Sequence, residues 1–72
     1  MVLGEIIALM DANASVCIKN EETHMGIETT AYNVRNCLHT VSHVKANSRG
    51  GITFTVSANS FEIIARLLGY IK

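Results

Sequence analysis

No proline punctuates this chain and no tryptophan anchors it. Chain breaks must therefore come from glycine and from Asn/Ser clusters. Aromatic side chains are few: Tyr32, Phe54, Phe61 and Tyr70. Two cysteines, Cys17 and Cys37, are too few for a disulfide framework, and neither lies in a CxxC or zinc-finger spacing. They read as small apolar thiols of a reducing compartment. No apolar run approaches the ~18 residues of a membrane span. The apolar start, Met1 to Met10, has no basic residue before it and is interrupted by Glu5, so it does not read as a signal peptide. The expectation is a cytoplasmic protein.

Motifs for chemistry are missing as well. There is no GxSxG, phosphate loop or dinucleotide fingerprint. Cys37 and His39 stand two apart, which on a helix turns their side chains to opposite sides. The expectation is no enzyme, no cofactor and no metal site.

What is present is aliphatic. Residues of the apolar class make up 49% of 72 positions, more than so small a domain can hide. Association with a second copy or with a partner is the natural outlet. Charge sums to zero but is divided. The first half holds Glu5, Asp11, Glu21, Glu22 and Glu28 against Lys19. The second holds Arg35, Lys45, Arg49, Arg66 and Lys72 against Glu62. A neutral chain lacks the general basic field of a nucleic-acid binder, although folding could gather a basic face from the second half.

Periodicity predicts an α+β domain spanning residues 1–72, in the order α-β-β-α-β-α. Val2 to about Ala12 reads as an amphipathic helix. Ser15 to Lys19 and His24 to Thr29 read as a hairpin, with Val16, Ile18, Met25 and Ile27 inward and a polar turn at Asn20–Thr23. A long helix is expected from about Thr30 to Lys45, with Ala31, Val34, Leu38 and Val41 on one face, ending at Asn47–Gly51. Ile52 to Ser57 alternates as a half-buried strand. Asn59-Ser60-Phe61-Glu62 has the form of a capping box that opens a last helix. The second and third strands would form a parallel crossover within a three-stranded mixed sheet whose open edges invite pairing across a dimer.

Two surfaces follow from this reading. The outer face of the long helix would align Arg35, His39 and His43 at four-residue spacing beside Tyr32. That is an ordinary polar face, and equally a docking surface for an acidic partner or nucleic acid. The last helix is apolar over half its circumference, wider than packing on one sheet requires. Phe61, Ile64, Leu68 and Ile71 are the candidates for self-association. Ser48–Gly51 and Ser57–Ser60 could each hold an anion, and have simpler readings as a loop and a cap. Together these features suggest a non-enzymatic interaction module, a homodimeric small regulator or inhibitor that binds another protein. The second reading is a nucleic-acid-binding regulator in which Arg35 and Arg49 contribute to the basic surface.

Overall fold

The computed structural model describes residues 2–46 and 51–70. It is a two-layer α+β arrangement with a four-stranded sheet in the order β2-β1-β4-β3. The strands are β1 (Ser15–Asn20), β2 (Gly26–Thr30), β3 (Val41–Ala46) and β4 (Ile52–Val56). Two helices, α1 (Leu3–Ile7) and α2 (Ala58–Leu67), accompany a 3-10 turn at Ala31–Val34.

The expected hairpin is present, with β1 and β2 antiparallel and Val16 opposite Thr29. Asn20 builds its turn: the side-chain oxygen accepts from the backbone N–H of Glu22 (2.8 Å) and Thr23 (3.3 Å). This pairing with the backbone is how a polar side chain can be buried. His24 closes the turn in the left-handed region, with φ 61°. Met25, expected inward, is exposed, because the strand begins only at Gly26.

The long helix expected over Thr30–Lys45 does not exist. In its place are the 3-10 turn, an irregular segment and β3. Ala31, Val34 and Cys37 are buried, a spacing of three residues that belongs to successive tight turns. Val41 is buried as well, so the set imitates a helical stripe, while Leu38 is 83% exposed. Beyond it, Thr40, Val41 and Val44 are β-branched, and antiparallel pairing of Val41–Ala46 with β4 overrides a helical reading. The added strand makes four rather than three. The parallel pair also moves: β4 lies parallel to β1, with Val16 opposite Ile52 and Asn20 opposite Val56. The first helix is likewise short, five residues from Leu3.

Alternation along the central strands separates the two faces of the sheet. Val16, Ile18, Phe54 and Val56 are buried beneath the helices, with Leu3, Ile7, Val34, Phe61 and Ile64 above them. Helix α2 opens as expected, but its cap is Ser57, whose hydroxyl accepts from Ser60 N–H at 3.2 Å. The edges are managed. At β2, Tyr70 Oη donates to the Glu28 carbonyl (2.8 Å). At β3 the register shifts between Val41 and His43, and Ser42 Oγ donates to the Thr55 carbonyl (3.1 Å). A bulge and an edge lysine, here Lys45, are recognised ways of discouraging strand addition.

Helix α1 docks by backbone contact. Leu3 N–H donates to the His39 carbonyl (2.9 Å) and Gly4 N–H to the Cys37 carbonyl (2.7 Å). A Cβ on Gly4 would come within 2.7 Å of that same oxygen. Gly4→Ala is expected to destabilise the fold by about 1–3 kcal/mol, the usual range for overpacking, measurable by urea denaturation. An unchanged midpoint would mean that α1 is not held in this way.

Candidate functional site

The site expected on the long helix is divided by the actual fold. Tyr32 and Arg35 remain together: the guanidinium lies 3.7 Å from the ring centroid and donates to the Tyr32 carbonyl (2.7 Å). His39 lies in the segment before β3, and its Nδ1 shares a hydrogen bond with Ser60 Oγ (3.1 Å). His43 belongs to β3. Its partner in register is Thr55, on the sheet face away from the core. The four residues therefore do not form one surface. Arg49, and Ser48 to Gly50 of the possible anion turn, lie outside the described residues.

The self-association set divides too. Phe61 (8% exposed) and Ile64 (1%) belong to the protein's own core, and Leu68 packs at its margin. Ile71 lies outside the described residues. The excess apolar arc of α2 is real, but its free part is one step round the helix. Ile63 and Leu67 follow at i and i+4, and Leu67 is 73% exposed; Tyr70, also exposed, lies past the helix end beyond the left-handed Gly69. Leu67 borders a groove of about 510 Å³ whose other wall is Asn33–Cys37. Exposed Leu38 follows that wall and borders a second groove against Val2, Gly4 and Ala8.

On the opposite side of the sheet the strand register assembles a surface that the sequence reading missed. Gly26, Lys19, Thr55 and His43 form one row across β2-β1-β4-β3. Glu28, Cys17, Thr53 and Lys45 form the next. A groove of about 700 Å³ runs over this face, lined in part by Cys17, Lys19, His24, Lys45 and Thr53. A local signal did exist: Cys17 and Lys19 alternate with Val16 and Ile18, so they must point away from the core. Their meeting with Lys45 follows only from the strand order.

The two thiols differ in setting. Cys17 is half-exposed on the groove floor, whereas Cys37 is buried in the helical layer. They stand on opposite faces of the sheet, which bars the short Cα separation that a disulfide needs. Burial raises the Cys37 thiol above its ordinary value, and a backbone hydrogen bond from His39 opposes this in part. Among the described residues no three His, Cys, Asp or Glu side chains gather as metal ligands. Likewise, none of the helices there is long and apolar enough to cross a membrane.

Iodoacetamide at neutral pH is expected to modify Cys17 and to spare Cys37 until the protein unfolds, as read by peptide mass. Because the folded state holds the Cys37 proton more tightly, its stabilising contribution is complete below the ordinary thiol value. It is lost as pH climbs through the raised value. Cys37→Ala should make the alkaline fall in stability shallower.

Comparison with family models, curated proteins and solved structures returns no match.

Proposed function

We propose that the protein is a non-enzymatic interaction module, a homodimeric small regulator or inhibitor that acts in the cytoplasm by binding another protein. The observation that supports this reading is the exposed apolar pair Ile63 and Leu67 on a helix whose inner face already fills the core. A chain this small gains little by leaving large aliphatic side chains in water, and burying one stabilises by about 1.5–3 kcal/mol. That apolar pair suits a second copy. Glu62 and Arg66 flank it and already pair at 2.9 Å across one helical turn. In an antiparallel two-fold packing of α2 on α2, each can equally meet its opposite in the partner.

Nucleic-acid binding is the weaker reading. The basic face built by the sheet includes no aromatic side chain in its two rows, so it offers no platform on which bases stack.

Light scattering over a range of concentrations tests the dimer. The wild-type mass should be that of two chains, insensitive to salt, and Leu67→Lys should reduce it to one folded chain whose melting temperature no longer depends on protein concentration. Ile64→Ala is the contrast: by opening a cavity in the core it should destabilise by about 2–5 kcal/mol. A wild-type monomer at all concentrations would overturn the homodimer.

A further inference from the structure

The geometry points to a binding site on the open sheet face for an extended acidic segment of a partner protein, held by Lys19 and Lys45 with His24 and His43 at its margins. This rests on the reading of the chain as a binding module and is independent of the dimer, which uses the other layer.

Charge complementarity carries the argument. Six Lys or Arg side chains balance six carboxylates over the whole chain, so neither sign dominates the surface by number. Against that neutral background two cations, Lys19 and Lys45, converge on one groove. The strand order puts Lys19 and Lys45 two strands apart, about 10 Å across the sheet, and one step apart along it. Their flexible stems let both ammonium groups reach adjacent carboxylates of one strand-like ligand. Glu28 is the single carboxylate in the two rows, at the β2 end and away from Lys45. Thr53 and Thr55 between the lysines add hydroxyl groups that can hydrogen-bond a peptide backbone.

Two features keep the groove open. Gly26 lies beside Lys19 in register, and a Cβ there would stand 3.0 Å from Cys17 Sγ. The hollow between β1 and β2 thus depends on that missing side chain. His24 lines the groove from a backbone conformation that glycine or asparagine adopts more readily.

The test uses a fluorescein-labelled oligoglutamate peptide and the full-length protein, titrated by anisotropy. Saturable binding is expected that weakens as salt rises and protects Cys17 from iodoacetamide. Lys19→Gln/Lys45→Gln should weaken it roughly tenfold or more, as expected for loss of two charge contacts. Both side chains point away from the core, so an unchanged melting curve should accompany the loss. His24→Gly supplies the second variant: it relieves the left-handed strain, so it should weaken binding without weakening the fold. The proposal is overturned if oligoglutamate does not bind or if the folded double-lysine variant binds as tightly as wild type. Tighter binding of an oligothymidylate of equal length would overturn it in favour of nucleic acid. A monomeric protein that still binds oligoglutamate would remove the dimer and leave this site standing.

Discussion

The parallel pairing of β1 with β4 is the contact on which the rest of the molecule depends. Each strand belongs to a local antiparallel hairpin, and hairpins of two strands are marginal in water. Val16 meets Ile52 and Ile18 meets Phe54 across half the length of the chain. That junction turns two ribbons into one sheet and brings four buried side chains under the helices. Because the contact is remote in sequence, loop-closure entropy must be overcome before it rewards the chain. The helices complete the core over this junction but do not create it.

How far the sequence could be read follows the same division between local and remote. The hairpin, β4 and α2 were legible because each is announced by its own residues: alternation in Val16–Lys19 and Ile52–Val56, and a capping-box pattern at Asn59–Glu62 before an apolar helical run, although the cap itself is Ser57. The segment from Thr30 to Lys45 was not. Its buried residues, Ala31, Val34, Cys37 and Val41, come close to a helical period by joining a three-residue turn repeat to the first residue of a strand. Only the demand of β4 for a second neighbour separates the two readings. The misassigned helix also misplaced the candidate site, since Tyr32, Arg35, His39 and His43 can share a face only on that helix.

The apolar surplus had the opposite fate. Its location on α2 was legible, while its division between core and surface was not. Which half of the helix faces the sheet depends on the angle at which α2 leaves Ser57, so Phe61 and Ile64 went inward and Leu67 outward. A stripe twice too wide is visible in a helical wheel; its orientation is a property of the tertiary packing.

The period of two along β1 and β4 has an evolutionary consequence. One set of positions, 16, 18, 54 and 56, decides whether the domain folds; the interleaved set, 17, 19, 53 and 55, decides what its open face offers. The two sets share a backbone but no side chain. Selection can therefore rewrite the outer set for a new ligand while the inner set is inherited unchanged, and a lineage built on this sheet could change partners without passing through an unfolded ancestor.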